Sequence, residues 1–346
     1  MTAREITAIL VSWDDAEDLV AAVSSLAQAR ARIPQGGVAV SLVVVDNGGG
    51  SLRREAICAS WPEACLLINE TNRGFGPAAN QAAEIAPGDI LLFLNPDTRA
   101  EGEPFSPIAR AFDAEPAVAA VAPRLIEMDG STSAEGPLRL APPDREDQAT
   151  FQLRRLPTLA SDARELLLVD HIAPNNRGRR RFRYADAART AALPVEQTAA
   201  AALAVRKSAF RRLGGFDERY VPAWYEDVDL CERLGREGSI LYLPEARFRH
   251  RGGESASRLG YARFLPIFYR NALRYRRTRY GIAARAAYRM MLVVGMLLRL
   301  IVLPFRANVP RSRADAARAY LRVLSVALGL GSHNLQSSII NHQSNA

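Results

Sequence analysis

Five apolar residues stand in an unbroken row at Ile90-Leu91-Leu92-Phe93-Leu94, with Asp89 before them and Asn95-Pro96-Asp97-Thr98 after. They read as one buried strand, because the run is short for a helix and Pro96 stops either element. Asp97 then stands just beyond the carboxyl end of a central strand, where open α/β sheets bind their ligands. A carboxylate there can hold a divalent cation, and the cation can hold a diphosphate. Taken alone, Asp97 fits a helix cap at least as well. The rest of the chain shifts the balance towards a ligand.

Strands are predicted at Ile6–Val11, Ser41–Val45, Ala64–Ile68, Ile90–Leu94 and Val118–Val121. Helical stretches run from about Ala16 to Ala29 and through Asn80 to about Ile85. This alternation predicts an α/β fold, a doubly wound, mainly parallel sheet of Rossmann-like kind. The early strands end in polar or glycine-rich loops: Ser12-Trp13-Asp14-Asp15, Asp46-Asn47-Gly48-Gly49-Gly50 and Asn72-Arg73-Gly74-Phe75-Gly76-Pro77. A phosphate-bearing ligand over that edge follows from the topology. Asp14 and Asp15 fit plain helix caps equally well. Asp46 fits either a ribose contact or a turn. Gly74 lets backbone approach a ligand closely, although the spacing matches neither the dinucleotide fingerprint nor the P-loop.

Residues 130–194 carry weak periodicity and are expected as loops and short helices beside the sheet, with Arg177–Arg181 a solvated charge run. Order returns at Thr198–Arg206, an apolar strand or helix, and at the glycine turn Leu213-Gly214-Gly215-Phe216-Asp217-Glu218. Trp224-Tyr225-Glu226-Asp227-Val228-Asp229 then opens a helix running to about Glu237. Acids in a first turn suit the helix dipole. Three carboxylates in four residues, beside two aromatics, exceed what a cap needs; a crowded carboxylate at a pocket edge is a candidate general base. A strand at Ser239–Leu243 precedes His250-Arg251-Gly252-Gly253-Glu254-Ser255. A lone histidine is usually packed or solvated, but the glycine-loop setting favours a metal role for His250.

Charge divides the chain. From Arg247 to Arg322 there are 18 Arg and two acids, leaving 27 basic and 35 acidic residues elsewhere. A basic tail on an acidic body calls for an anionic partner at the tail. Met290–Phe305 is nearly all apolar, broken by Arg299. It falls short of the roughly 20 apolar residues that a spanning helix needs. Its arginine flanks point instead to a helix lying in the membrane interface, with a buried core helix as the alternative. A further amphipathic helix is expected at about Ala314–Leu328. The membrane surface is thus assigned to residues 261–328, and removing the tail near Gly260 is expected to release the chain. Cys58, Cys65 and Cys231 show no metal or redox spacing. The N-terminus leads straight into a strand, so no signal peptide is expected. The expected location is the cytoplasm, peripheral on the cytoplasmic face of the inner membrane.

The motifs, in this order, resemble the inverting glycosyltransferases of family 2, above all the rhamnosyltransferase-like branch. The blocks are Val43–Gly48, Asn72–Gly76 with Asn80, Leu94–Thr98, Gly214–Glu218, Glu226–Cys231, and His250 with Gly252, Gly253 and Ser255. The resemblance covers about residues 5–257 and implies a GT-A fold, with the domain set at 1–258 (130–194 an irregular insert); composition sets apart an Arg-rich helical tail over 259–334 and a disordered end at 335–346. The resemblance also implies a nucleotide-diphosphate sugar donor, dTDP- or UDP-linked with rhamnose the first choice, and Mg2+ or Mn2+. By position, Asp46 would contact base or ribose, and Asn72, Gly74 and Asn80 would line the nucleotide and diphosphate. Ser12, Asp14 and Asn95 would complete the donor contacts. Asp97 matches the last acid of the family's metal-binding triplet, and His250 a further metal or diphosphate contact. Asp227 matches the catalytic base, with Trp224 and Glu226 flanking the acceptor, a glycan or a lipid diphosphate.

Three departures stand out. Ser12-Trp13-Asp14 replaces the usual Thr-Tyr-Asn, Ala82 replaces a frequent glycine, and Gln197-Thr198-Ala199-Ala200 lacks the usual aromatic and glycine. The last leaves sugar identity open. Two other classes fit less well. A catalytically weak scaffold subunit of a polysaccharide assembly complex would not need Asp97, Asp227 and His250 together. A nucleic-acid-binding protein would need a recognition module, and the body here is acidic.

Overall fold

The computed structural model describes residues 5–50, 52–128, 152–252, 259–306 and 312–330. Gly253 and Ser255, much of the expected insert and the expected disordered end lie outside the described residues.

The elements in order are β1 (Glu5–Ser12), α1 (Ala16–Arg30), β2 (Ala39–Asn47), α2 (Arg54–Ser60), β3 (Cys65–Asn69), α3 (Phe75–Ile85), β4 (Ile90–Leu94), β5 (Thr98–Glu101), α4 (Phe105–Ala114), β6 (Val118–Glu127) and β7 (Leu153–Arg154). Then come α5 (Leu159–Leu166), α6 (Val169–Ile172), α7 (Arg177–Phe182), β8 (Leu193–Val195), β9 (Gln197–Thr198), β10 (Ala202–Arg206), α8 (Lys207–Arg212), α9 (Glu226–Glu237) and β11 (Ser239–His250). Three long helices follow: α10 (Tyr261–Arg279), α11 (Ile282–Val302) and α12 (Arg313–Leu328). The chain forms two compact units. One takes residues 1–130, 143–155 and 187–251, the other 131–142, 156–186 and 252–346.

The first unit holds a nine-stranded sheet in the order β3-β2-β1-β4-β10-β6-β11-β5, with β8 also on β11. β3, β2, β1 and β4 run parallel, as do β6 and β11; β10 runs against both β4 and β6. β4 lies between β1 and β10, and all five of its residues are buried. That is why its sequence is an unbroken apolar run rather than an alternation. On α3, Gly76, Ala78, Ala79, Ala82 and Ala83 are buried. Small side chains let this helix lie close to the sheet.

Two elements differ from expectation. β11 extends to His250, well past Leu243, because its register shifts between Leu243 and Arg247. The irregularity accommodates Pro244, which would otherwise end a strand. The segment Thr198–Arg206 splits into β9, paired with β7, and β10.

In the second unit α10, α11 and α12 pack together, and α5 packs on α11. Residues 156–186 therefore group with the C-terminal helices, not with the sheet beside which they were expected. At its centre the buried Arg276 donates to Asp162, with Nε 2.7 Å from Oδ2 and Nη2 on Oδ1. The Tyr288 ring lies 4.0 Å from the Arg276 guanidinium carbon. Gly295 of α11 meets the Leu166 carbonyl so closely that a Cβ would come within 2.5 Å of it.

Candidate active site

The carboxyl ends of β1, β2 and β4 share one edge of the sheet, with Ser12 registered opposite Asp46. Asp15 occupies the N-cap position of α1 without capping it. Its carboxylate turns back and accepts from the Ser12 hydroxyl and, at 3.1 Å, from the Trp13 N–H. Asp14 takes a left-handed backbone, φ 57°. Asp46, buried, accepts the Gly49 N–H at 2.9 Å, which satisfies the turn reading with one oxygen.

Asn47 ties this edge to the next loop. It is 2% exposed. Its amide donates to Asn72 Oδ1 and the Gly74 carbonyl at 3.0 and 3.2 Å. Its oxygen accepts from Asn69 Nδ2 and the Arg73 N–H at 3.2 and 3.1 Å. Asn72 in turn accepts the Gly74 N–H at 2.8 Å. Gly48 is needed beneath them: with φ 87°, a Cβ there would stand 2.4 Å from the Thr71 carbonyl carbon. The loop is held from the other side by the Pro222 carbonyl, which accepts the Phe75 N–H at 2.7 Å.

Asp97 and His250 meet because β5 pairs antiparallel with β11, setting His250 opposite Thr98. His250 Nε2 lies 3.4 Å from Asp97 Oδ1, and the residues are 3% and 7% exposed. Asp18 of α1 fixes both strand ends by pairing with Arg99 at 2.9 Å and Arg251 at 3.0 Å. Asn95 closes the β4–β5 turn: its N–H donates to the Ala201 carbonyl, and its carbonyl accepts from Thr98. An imidazole nitrogen beside a carboxylate oxygen is a donor pair suited to a divalent cation. Among the described residues no group of three or more His, Cys, Asp or Glu is gathered for a metal.

The loop before α9 carries the remaining groups. Asn80 grips it, donating to the Phe216 carbonyl at 2.9 Å and Glu218 at 3.0 Å and accepting the Phe216 N–H at 2.9 Å. Phe216 stacks edge-on against Phe93, Phe210 and Phe75 at 5.0–5.5 Å. Trp224 and Tyr225 both adopt left-handed backbone, φ 71° and 75°. Two consecutive non-glycine residues in that region are costly, roughly 1–3 kcal/mol each, and such outliers gather at functional sites. They deliver Glu226 and Asp227 to the first turn of α9. Of the three acids there, Asp229 accepts from Arg233 at 2.7 Å, and Arg233 also donates to the Leu213 and Gly215 carbonyls. Asp229 is thus engaged in holding the glycine turn. Burial, then the Asp227 charge, pushes Glu226 well above the usual carboxylate range. Glu226 is 6% exposed, and its Oε2 has no hydrogen-bond partner among the described residues. Burial also raises Asp227, opposed by the Val228 N–H, Arg154 and the Ala200 N–H.

Ser12, Asp46 and Asn95 therefore lie along one strand edge, Asn72 and Gly74 on a loop tied to it, and Asp97 beside His250. Trp224 stands just before α9, and Glu226 and Asp227 in its first turn, after the loop that Asn80 grips. Sequence reasoning assigned no role to Asn47, although it lies in the Val43–Gly48 block, and missed Asp18 and Arg233. All three are partners of loop backbone or arginines, and only their burial and bonding distinguish them from ordinary polar residues.

A mixed, mainly parallel central sheet with flanking helices is the fold of the GT-A glycosyltransferases. The sequence model "Glycosyl transferase family 2" matches residues 7–184, and the chain belongs to that family. It is 28% identical over 231 residues to the N-acetylglucosaminyl-diphospho-decaprenol L-rhamnosyltransferase of two Mycobacterium tuberculosis strains, an alignment covering 63% of this chain and 69% of that protein. Two solved structures share the fold at 14% identity and a TM-score of 0.51. One is the mannosyltransferase PcManGT from Pyrobaculum calidifontis in complex with GDP-Man and Mn2+, matched over 95% of this chain and 88% of that one. The other is GalNAc-T7 with UDP, GalNAc and Mn2+, where 78% of this chain spans 48%, about half, of that one.

Proposed function

We propose that this glycosyltransferase moves a sugar from a nucleotide diphosphate to the hydroxyl of a lipid-linked or polysaccharide acceptor, with inversion at the anomeric carbon. The observation that carries the reading is the Asp97–His250 pair beyond β4, on the sheet that also bears Asp46 and α9 with Asp227. The acceptor oxygen attacks the anomeric carbon from the face opposite the leaving diphosphate. Asp227 takes the hydroxyl proton as that bond forms. Its burial favours the role, since a raised pKa makes a stronger base. Ser12, Asp14, Asp46, Asn72, Gly74 and Asn95 surround the donor, and Asn80 acts through the loop it grips. Trp224 and Glu226 border the acceptor. A divalent cation, Mg2+ or Mn2+, held by Asp97 and His250 would neutralise charge on the departing diphosphate. The similarity to a rhamnosyltransferase with a diphospho-decaprenol substrate in its name supports a deoxythymidine- or uridine-diphosphate sugar, rhamnose first, and a lipid-diphosphate acceptor. The helices of residues 261–328 bring the chain to the cytoplasmic face of a membrane, where such an acceptor resides.

The test is thermal stability against a panel of nucleotide diphosphates, with and without Mn2+ or Mg2+. A ligand at a hundred times its Kd adds about 2.7 kcal/mol, a shift of several degrees. A metal-dependent shift with one nucleotide, lost in Asp97→Ala, is expected. No shift with any nucleotide would favour a scaffold subunit instead.

A further inference from the structure

Contrary to the expectation for Met290–Phe305, helix α11 with the turn that follows it spans Ile282–Phe305 and is long and apolar enough to cross a membrane, because the helix begins eight residues before the apolar run; yet little of it is buried in the fold. Its exposed large side chains are not scattered. Met290, Val294, Leu297 and Ile301 recur every three or four residues, so they form one stripe along one side. Phe305, 86% exposed, follows in the turn Leu303–Phe305.

Two of the three arginines of this helix, Arg289 and Arg299, bond to neighbouring helices. Arg299 donates to the Leu166 and Glu165 carbonyls at 2.7 and 3.0 Å, at the C-terminal end of α5. Arg289 donates to the Ala327 carbonyl at 3.2 Å, at the end of α12. Each arginine thereby caps the C-terminal end of a neighbouring helix. These contacts, and the close approach of Gly295 to Leu166, bind the rest of α11 to the unit.

The short helix α6 also exposes large apolar side chains, Ile172 at 81% and Val169. His171, between them in the chain, is near enough to Arg306 to feel its charge. Burial first, then Arg306, Arg299 and Arg179, hold its pKa below the ordinary histidine value. From residue 259 to 330 the sequence contains one acid, Asp315. An apolar stripe in a field of arginine suits an anionic lipid surface better than a protein of mixed charge.

We propose that the stripe Met290–Ile301, followed by Phe305 and joined by the exposed Ile172 of α6, docks the second unit on an anionic phospholipid bilayer, with α11 lying in the membrane plane and Arg306 among the headgroup phosphates. The proposal rests on the reading of this chain as a transferase working at a membrane. It adds the face, the orientation and a contribution from α6, outside residues 261–328. A spanning α11 would carry into the bilayer α5 and α12, which its far side binds through Arg299 and Arg289.

The test uses the full chain and vesicles of phosphatidylcholine, with and without phosphatidylglycerol. Leu297→Asp, Phe305→Asp and Ile172→Asp should each lower partition onto the anionic vesicles on the order of 10-fold. Ile68→Asp, at an exposed apolar residue of the first unit, should not. Far-UV circular dichroism should be unchanged in all four. Met290→Trp and Ile301→Trp, about 16 Å apart along the axis, should be quenched to the same depth by lipid-borne nitroxides. Different depths would mean a spanning helix and overturn the proposal. Unchanged partition in the three stripe variants would also overturn it. So would a dimer that Leu297→Asp dissociates without changing vesicle binding, since the stripe would then cover a second copy. The variants should keep any metal-dependent nucleotide shift of the wild type. Absence of that shift in the wild type counts against the transferase reading and leaves the docking result to stand on its own.

Discussion

Asp227 and Glu226 are neighbours with different fates. Asp227→Asn should lower kcat by about 10²–10⁴-fold, the usual contribution of a general base, with nucleotide binding kept. Because burial raises Asp227, the acid limb of the kcat/KM profile should lie above the ordinary carboxylate range. Steady-state rates across pH check both. Glu226 predicts an effect on stability. Its folded pKa lies above its unfolded value, so the folded state holds more protons in between. Its favourable contribution is complete below the unfolded value, near pH 4.5, and is lost as pH rises through the folded one. Glu226→Gln should therefore raise the melting temperature at pH 8, with a gain that shrinks towards pH 4. A constant difference across that range would refute buried protonation.

At the scale of elements, the site depends on strand ends being tied to the loops beside them. Asn47 makes four hydrogen bonds to the Asn69–Gly74 segment. At about 1 kcal/mol each, and more where a buried partner is left bare, Asn47→Ala should cost roughly 3 kcal/mol in urea denaturation. It should also raise the donor KM more than it changes kcat, since the loop it secures is the one proposed to line the diphosphate. The pairing of β5 with β11 acts likewise on Asp97 and His250. That pairing was hidden in the sequence because Pro244 reads as a strand end, whereas the strand continues through an irregular register.

At the scale of the molecule, α5–α7 share a unit with α10–α12, so removing the tail near Gly260 would strip α5 of its cover and Asp162 of its partner. Arg276→Ala isolates that effect. It leaves a buried carboxylate unpaired, at a cost of about 3–5 kcal/mol. The denaturation midpoint of the second unit should fall while the nucleotide-dependent shift of the first remains. A single, unchanged transition would show that the pair contributes little. Full-chain variants are thus the sounder probe of membrane docking than truncation.

The sheet was legible because each buried strand writes its environment into a few consecutive residues. Ile90–Leu94 is apolar throughout since both of its faces are covered. The glycine and acidic blocks were legible because turns and ligand edges demand those residue types locally, and their order named the family. Other features depended on contacts distant in sequence. Asn47, Asp18 and Arg233 are ordinary polar residues until folding brings their partners within 3 Å or so. The sequence showed Arg299 as a break in an apolar run, and only the packing of α5 against α11 turns it inward and leaves the outer stripe whole. Local pattern records what a residue needs from its immediate neighbours, while the tertiary structure decides which distant group supplies the rest.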